Sequence, residues 1–222
     1  MNINEFLIKR YRLSQEESIT FMKEHQVLIN GRKANQRETL IKRDGLTIDG
    51  QLIREEQKYS YYAYYKPRGI ECTLNTEIEN NLFDTLPFKE RLYPIGRLDK
   101  KSEGLLILTN DGRLYKEIAL AHNFKEKEYE VRVDDLLTEQ ALQQLTEGIV
   151  IKGQKTRPAD VQPTGDQSFL IVLTQGINRQ IRRMCFKLGY EVTELKRIRI
   201  ASVELKELKP GEFRKLSRAE IF

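Results

Sequence analysis

The segment that decides the fold is residues 96–112, which read GRLDKKSEGLLILTNDG. Its middle, Leu105 to Thr109, is a continuous apolar run, and such a run between loop signals predicts a buried strand. Asn110-Asp111-Gly112 ends the run with turn-forming residues. The chain is therefore expected to place a buried strand directly after a charged loop, and Asp99 lies in that loop.

Asp99 is surrounded by positive charge, because Arg97, Lys100 and Lys101 flank it. A carboxylate at the mouth of a rigid strand, among cations, is placed to act on an anionic substrate. The structural alternative is that Asp99 only forms a turn or caps a helix, as Asp in loops commonly does. On this segment alone both interpretations stay open.

A second segment, residues 176–189, begins GINRQIRRM and follows a strand-like run from Ser168 to Thr174. Apolar residues recur in it at the spacing of one helical face: Ile181, Met184, Cys185 and Leu188. The pattern predicts a helix over 179–188, with Asn178 as its N-cap and Gly189 as its stop.

Three arginines, Arg179, Arg182 and Arg183, share another face of this helix. Guanidinium groups this close repel each other unless anions neutralise them. They form either a solvated basic face or a phosphate site that also supplies a partner for a buried carboxylate.

Composition indicates a globular protein with a polyanion partner. The chain has 222 residues, of which 39% are hydrophobic and 32% charged, and a net charge of +5. Residues 176–215 hold eleven Lys and Arg against five Asp and Glu, so the rest of the chain is nearly neutral. A localised basic field is typical of nucleic-acid binding. An anionic membrane is the competing partner, but no segment there joins a strong apolar face to a basic one.

Cysteine and histidine, the residue types that commonly bind transition metals, are few and scattered in this sequence. Cys72 and Cys185 lack a C-x-x-C spacing and indicate neither a disulfide framework nor a zinc site. His25 and His122 have no nearby ligand partners and are expected at the surface or at helix ends. Without a signal peptide or a membrane span in the sequence, we expect a cytoplasmic protein with no metal.

The chain divides into a small and a larger domain. Residues 1–53 are expected to form the first, with helices over 3–11 and from Ser14, where Glu17 completes a capping box, to about Glu24. Short strands follow at Val27 to Ile29 and Leu46 to Ile48, with the hairpin signal Asn30-Gly31 between them. Polar residues 54–58 read as a linker.

The second domain, residues 59–222, opens on a tyrosine-rich run at 59–65, which predicts a half-buried strand better than a base-stacking surface. Further strands are predicted at 127–133, 148–153, 168–175 and near 197–205. Helices are predicted at 113–121, 138–147 and 179–188. Strands outnumber helices and do not alternate with them, which favours an α+β fold with a mainly antiparallel mixed sheet.

Three motifs in a fixed order resemble the RsuA/RluB/RluE/RluF family of pseudouridine synthases, with the RluF branch most similar. They are GRLD at 96–99, KEYEV at 127–131 and NRQIRRM at 178–184. The resemblance extends over essentially the whole chain. It implies isomerisation of a specific uridine to pseudouridine in RNA, most of all in 23S ribosomal RNA and also in tRNA, by a monomer that needs no cofactor.

The resemblance also implies roles for individual residues. Asp99 would be the catalytic carboxylate, Arg182 its guanidinium partner, and Tyr129 would stack on the target base or accept a proton at C5. The target base must leave its stack to reach such a site. The RNA-binding residues would be Arg97, Leu98, Lys100, Arg179, Gln180, Ile181 and Arg183.

The first domain resembles the S4 RNA-binding module in its two helices and the turn VLING at 27–31; any small α+β cap domain is the alternative. The second helix departs from the family pattern, because residues 14–18 read SQEES where two cations are usual. Phosphate contacts from this helix are thus reduced. The cations left for such contacts are Lys9, Arg10, Arg12, Arg32, Lys33 and Arg37.

Two other functions stay open on the sequence. A non-catalytic RNA-binding or ribosome-assembly protein would use Asp99 only as a loop cap, but would not need Tyr129 and Arg182 with it. A glycoside hydrolase would need a second carboxylate facing the same bond, for which Glu103 is available. The basic surroundings suit a polyanion better than a neutral sugar.

Overall fold

The structure, a computed structural model, describes residues 1–56, 58–88, 90–118 and 124–221. These residues form two compact units, Met1–Tyr59 and Ser60–Phe222. Among the described helices, none has the length and apolar character needed to cross a bilayer.

The first unit packs two helices on a four-stranded antiparallel sheet of order β2-β1-β3-β4. Its elements are α1 (Ile3–Tyr11), α2 (Gln15–Glu24), β1 (Val27–Ile29), β2 (Arg32–Lys33), β3 (Leu46–Ile48) and β4 (Gln51–Arg54). The predicted capping box forms, since Ser14 and Glu17 each accept the other's backbone N–H. His25 caps the end of α2, and its Nδ1 contacts Asp49. The strand β4 ends at Arg54, which is the first residue of the predicted linker.

The second unit starts with the strands that hold the Asp99 loop. The strands are β5 (Tyr61–Lys66), β6 (Tyr93–Ile95) and β7 (Glu103–Thr109). The short helix α3 (Leu82–Thr85) lies between β5 and β6, and α4 (Gly112–Ile118) follows β7. The predicted helix 113–121 is described only to Ile118; its last residues, like His122, lie outside the described residues. Strand β7 is buried along almost its whole length, as its apolar run predicts.

The remaining elements complete the sheet and cover it. They are β8 (Lys127–Val133), α5 (Glu139–Glu147), β9 (Val150–Ile151), β10 (Gln154–Lys155), β11 (Asp160–Gly165), β12 (Ser168–Leu173), α6 (Gln180–Lys187), β13 (Val192–Ile200), β14 (Val203–Glu204), β15 (Phe213–Lys215) and a 3-10 turn (Arg218–Glu220). The described residues give a nine-stranded sheet of order β11-β12-β8-β13-β7-β5-β15, with β14 beside β13 and β6 beside β7. Only β13 and β7 run parallel among these strands, so the predicted mainly antiparallel α+β sheet is confirmed.

Several predicted boundaries are wrong because turns interrupt the apolar runs. Lys152 and Gly153 have φ of 50° and 75°, so the strand predicted at 148–153 is a tight hairpin of β9 and β10. Ala201, at φ 51°, likewise ends β13 and starts the return to β14 within the range 197–205. The strand predicted at 168–175 leaves the sheet after Leu173.

The tyrosine strand β5 is more deeply buried than predicted. It pairs with β7 on one edge and β15 on the other, and five of its six residues are buried. The hydroxyls of Tyr61 and Tyr65 donate to the carboxylates of Asp111 (2.8 Å) and Glu103 (2.9 Å). These two contacts tie β5 to β7 and to the turn after β7, and Tyr62 is the tyrosine of β5 that stays partly exposed.

Two apolar cores flank the middle of the sheet. One joins β8, β12, β13 and α5 to the buried face of α6, and the other lies between β5, β7 and the loops around α3. Tyr129 is packed against both. Burial of an Ile or Met side chain such as Ile181 or Met184 contributes about 1.5–3 kcal/mol, which fixes α6, and with it the arginine face, against the sheet.

Candidate active site

The loop that carries Asp99 joins β6 to β7 and is closed on itself. The Ser102 N–H donates to the Asp99 carbonyl over 3.1 Å, and the Ser102 hydroxyl lies 3.5 Å from Asp99 Oδ2. Gly69 N–H donates to the Lys100 carbonyl over 2.8 Å, which ties the loop to the turn after β5. The Asp99 side chain remains 23% exposed and lines a cavity.

Arg182, on α6, braces this loop from the other side. Its Nη1 donates to the Val192 carbonyl (2.8 Å) and its Nη2 to the Lys101 carbonyl (3.1 Å) and the Ser102 hydroxyl (3.3 Å). Its Nε lies 3.5 Å from Asp99 Oδ2, and the side chain is only 9% exposed. Burial lowers the pKa of the Arg182 guanidinium, and Asp99 acts against that shift. The structure thus brings together the Asp99 and Arg182 side chains.

Arg179 places a second guanidinium near the same carboxylate. Its Nη1 lies 3.9 Å from Asp99 Oδ2, and its side chain is 44% exposed. Arg179 itself occupies the N-cap position of α6 at φ 54°, with no side-chain cap. The predicted N-cap Asn178 is therefore wrong. The Gln180 side chain turns back toward the loop before the helix and accepts the Ile177 N–H over 3.1 Å.

Tyr129 lies in the middle of β8, directly opposite Ile171 of β12 and Arg197 of β13. Its ring centroid is 6.0 Å from the Arg197 guanidinium carbon. Arg197 is 1% exposed and donates to the carbonyls of Leu105 (2.8 Å) and Gly96 (2.5 Å). A buried cation thus links the ring of Tyr129 to the start of the Asp99 loop.

Asp99, Tyr129 and Arg197 all line one cavity of about 480 Å³. Its walls combine the apolar side chains of Leu173 and Leu195 with polar groups. Lys127 also lines it, and burial together with Arg197 lowers the pKa of this lysine to about 8. This is a partly apolar pocket with convergent charged groups, which is the usual form of a small-ligand site.

Six of the seven residues predicted to bind RNA fall into an exposed and a buried group. Arg97, Lys100 and Arg179 are exposed, and of these Arg97 and Arg179 line the cavity. Buried positions form the second group: Leu98, Gln180 and Ile181. These three line the cavity as part of its wall, and the Gln180 amide is already used within α6 and the loop before it.

Arg183 does not point toward Asp99. Its Nε donates to the Asn178 carbonyl over 3.0 Å, and its Nη2 to the Asn178 side chain over 3.4 Å. The three arginines therefore do not act as one face. Arg182 and Arg179 approach the carboxylate, whereas Arg183 folds back on the loop that precedes α6.

The basic field of residues 176–215 is also weaker at the surface than its sequence indicates. Arg197 is buried, and Arg199 is paired with Glu128 (2.7 Å) and Glu126 (2.9 Å). Lys196 is paired with Glu130 over 3.1 Å. A count of charges over 176–215 cannot include these partners, because Glu128 and Glu130 lie on the neighbouring strand β8 and Glu126 lies just before it.

Other chemistry finds little support at this site. Burial raises the pKa of the Cys72 thiol, which lines the cavity, so it is a poor thiolate nucleophile. Among the described residues, no group of three or more His, Cys, Asp or Glu is placed to hold a metal ion. Glu103, the second acid of the glycosidase alternative, accepts the Tyr65 hydroxyl and is not among the described residues that line the cavity.

Two cavity residues were missed by sequence reasoning. Arg197 carried no signal, because β13 lacks a clean alternation of buried and exposed residues. Gln175 did carry one: Phe169, Ile171 and Leu173 alternate inward along β12, and the next inward position in that series is 175. A polar residue at an inward position was the available clue.

The comparisons with known proteins agree with this geometry. Residues 60–187 match the family model for RNA pseudouridylate synthase. The chain is 38% identical over 221 residues to the dual-specificity RNA pseudouridine synthase RluF of Salmonella typhi, covering 99% of this chain and 76% of the relative. It is 31% identical over 219 residues to the ribosomal large subunit pseudouridine synthase B of Bacillus subtilis, covering 94% and 88%.

A solved structure shows the same fold. The crystal structure of a pseudouridylate synthase superimposes with a TM-score of 0.69 at 26% identity, covering all of this chain and 98% of the other. The family match spans more than half of the chain, and the RluF relative is covered over three quarters of its length. This chain therefore belongs to the RNA pseudouridine synthases.

Proposed function

We propose that this RNA pseudouridine synthase acts on a uridine of ribosomal RNA, in the 23S molecule, and that Asp99 carries the chemistry. The choice of ribosomal RNA is supported by the large-subunit enzyme of Bacillus subtilis among its relatives. The RluF relatives are named dual-specificity enzymes, which supports a second RNA class, tRNA, as a further substrate. We place the reaction in the cytoplasm, where ribosomal RNA is processed.

The isomerisation needs no external reagent. The bond from C1′ to N1 breaks, the uracil turns, and a bond from C1′ to C5 forms. The proton lost from C5 is balanced by one gained at N1, so atoms and electrons are conserved. The protein has to activate the sugar, hold the free base and exchange protons.

Asp99 is the proposed group that acts on the sugar. Either it attacks C1′ as a nucleophile, or it removes a sugar proton to give a glycal. The observation that carries this role is its position at the cavity, where two guanidinium groups lie 3.5 and 3.9 Å from Oδ2. A buried carboxylate needs such partners, because desolvation otherwise neutralises it.

Arg182 and Tyr129 are proposed to support the same step. Arg182 fixes the Asp99 loop through Lys101 and Ser102 and compensates the negative charge of the carboxylate. Tyr129, at the wall of the cavity, would stack on the extruded uracil and accept the proton from C5. We propose that the enzyme acts as a monomer.

RNA binding is proposed to use the exposed cations and the first unit. Arg97 and Arg179, at the cavity, would contact the phosphates beside the extruded nucleotide, with Lys100 and Arg183 nearby in sequence. Leu98, Gln180 and Ile181 would line the path of the base. We also propose that residues 1–53 act as an S4-type RNA-binding domain, linked through 54–58 to a catalytic domain over 59–222.

Pseudouridine mapping tests the proposal. Ribosomal RNA and tRNA from a strain lacking this protein should each be mapped before and after complementation. We expect at least one 23S position to lose pseudouridine and to regain it with the parent chain or with Asp166→Asn, an exposed control. Asp99→Asn should not restore it. Restoration by Asp99→Asn would overturn the catalytic assignment, and a change confined to tRNA would overturn the choice of ribosomal RNA.

A further inference from the structure

Gln175 has a buried donor that the protein itself does not use. Its side chain lines the cavity beside Asp99 and Tyr129, and the residue is 7% exposed. Its Nε2 is buried and finds no hydrogen-bond partner among the described residues. An unpaired buried donor costs stability, so such a group at a ligand site indicates a partner that arrives with the ligand.

The backbone around Gln175 is held from both sides. The Arg157 guanidinium donates to the Thr174 carbonyl over 3.1 Å, and the Gln180 side chain accepts the Ile177 N–H over 3.1 Å. Gln180 satisfies its own amide within the protein. Of the two glutamines that line this cavity, Gln175 is the one whose buried amide nitrogen has no partner among the described residues.

The surroundings of this donor select the kind of acceptor. Part of the cavity wall is apolar and buried, with Leu173, Ile181 and Leu195. A phosphate would be matched by the exposed guanidinium groups of Arg97 and Arg179, and the sugar belongs at Asp99. The group that suits an apolar wall with one neutral donor is the planar base, which presents carbonyl oxygens.

We propose that Gln175 binds the target base by donating from Nε2 to a uracil carbonyl oxygen. This inference rests on the proposed function. Uracil carries two carbonyl oxygens, O2 and O4, one on each side of N3. A half-turn of the free base about the line through N3 and C6 exchanges N1 with C5 and, in the same motion, O2 with O4.

This symmetry gives the single donor a partner at both ends of the reaction. Whichever carbonyl oxygen lies at Gln175 in the substrate, the other oxygen replaces it in the product while C5 takes the place of N1 at the sugar. Gln175 would therefore hold the base in register before and after it turns. The contact would also retain the base while it is not bonded to the sugar.

The test replaces the acceptor and the donor together. Once the modified uridine is mapped, a synthetic RNA stem-loop around it is made in three forms, with uridine, 2-thiouridine or 4-thiouridine at the target. Sulfur is a weak acceptor. We expect the parent enzyme to lose about tenfold in kcat/KM with at least one thio form, the size of one neutral hydrogen bond. Gln175→Met should be about tenfold slower with uridine and show little further loss with that thio form.

Two controls separate the base contact from a structural role. Gln162→Met, on the exposed edge strand β11, should behave as the parent with all three RNAs. Gln175→Glu keeps the shape of the side chain but offers no donor while it is ionised. It replaces Gln175→Met if that variant does not fold, and it too should show little further loss with the thio form. Both Gln175 variants should bind the stem-loop at the parent's salt dependence.

Equal thio losses in the parent and in both Gln175 variants would overturn the base contact. A parent enzyme that is inactive on both the uridine stem-loop and ribosomal RNA would instead count against the proposed function. That result is obtained with the parent alone and does not involve Gln175 variants. The two failures are therefore distinguishable.

Discussion

The Nε of Arg182 lies 3.5 Å from Oδ2 of Asp99, while the other two guanidinium nitrogens are bound to the Asp99 loop and to β13. One side chain thus fixes the loop backbone and faces its carboxylate. The loop geometry and the charge balance of the site therefore both depend on Arg182. A substitution of Arg182 should affect stability and activity together.

Asp99→Asn should abolish pseudouridine formation and leave RNA binding within a few fold of the parent. The amide keeps the size of the side chain and its contact with Ser102, but it cannot act as a nucleophile or base. Turnover of ribosomal RNA and equilibrium binding to the same RNA would be measured side by side. Turnover retained by this variant would remove Asp99 from the chemistry.

Arg182→Ala should lower the free energy of unfolding by about 3 kcal/mol, because it leaves a partly buried carboxylate and three oxygen acceptors without their donor. Arg183→Ala is the matched control on the same helix. It loses only partly exposed contacts with Asn178, and should cost less than about 1 kcal/mol. Urea denaturation of the two variants decides the point, and equal losses would show that the ion pair with Asp99 carries no stability.

How far the sequence reached is clearest on α6. Its apolar stripe and the stop at Gly189 are predicted by helical spacing, which is local. The proximity of Arg182 to Asp99 is predicted only by the family resemblance. The N-cap is Arg179 and not Asn178, because Arg179 adopts a left-handed backbone there and no side chain caps the helix. The spacing of apolar residues does not specify the backbone conformation of a single residue.

The residues that were missed depend on strand register. Arg197 meets Tyr129 on one side and Gly104 on the other only because β13 lies between β8 and β7. The parallel neighbour β7 is about ninety residues away in the chain, and nothing in either strand marks that pairing. For the same reason, the sequence of 176–215 overstates the exposed positive charge. The glutamates that neutralise Arg199 lie on strand β8 and just before it.

Gly104→Ala should destabilise the protein by more than about 2 kcal/mol. Gly104 has φ of 105°, and a Cβ there would lie 2.3 Å from the Arg197 carbonyl oxygen. Gly153→Ala is the control, because Gly153 also has positive φ but has open space around it, and it should cost about 1 kcal/mol. Thermal and urea unfolding of both variants would be compared, and a Gly104 variant no less stable than the Gly153 one would contradict the close β7–β13 contact.

Lys127→Met should be more stable than the parent at pH 7, and the difference should shrink as the pH rises from about 8 toward 10. The pKa of Lys127 is about 8 in the folded protein against 10.5 for a free lysine. Between these values the unfolded chain binds the proton that the folded chain has lost, so the stability of the parent rises with pH. Urea midpoints across this pH range test the direction of the change. A stability difference between variant and parent that grows with pH would contradict a destabilising charge on Lys127. Lys152→Met, on an exposed hairpin turn, is the matched control for the loss of a lysine.

The salt dependence of RNA binding should be set by the exposed cations at the cavity and not by the paired ones. Each phosphate contact contributes roughly 0.7–0.9 to the slope of log K against log salt. The double variant Arg97→Gln, Arg179→Gln should therefore flatten the slope by about 1.5.

Arg199→Gln is the control. It removes the same type of charge from the same basic region, but Arg199 is paired with Glu126 and Glu128, so the slope for this variant should match that of the parent. Filter binding of a ribosomal RNA fragment at several salt concentrations would measure all three. A slope change for Arg199→Gln as large as that of one cavity arginine would mean that the glutamate pairs open when RNA binds.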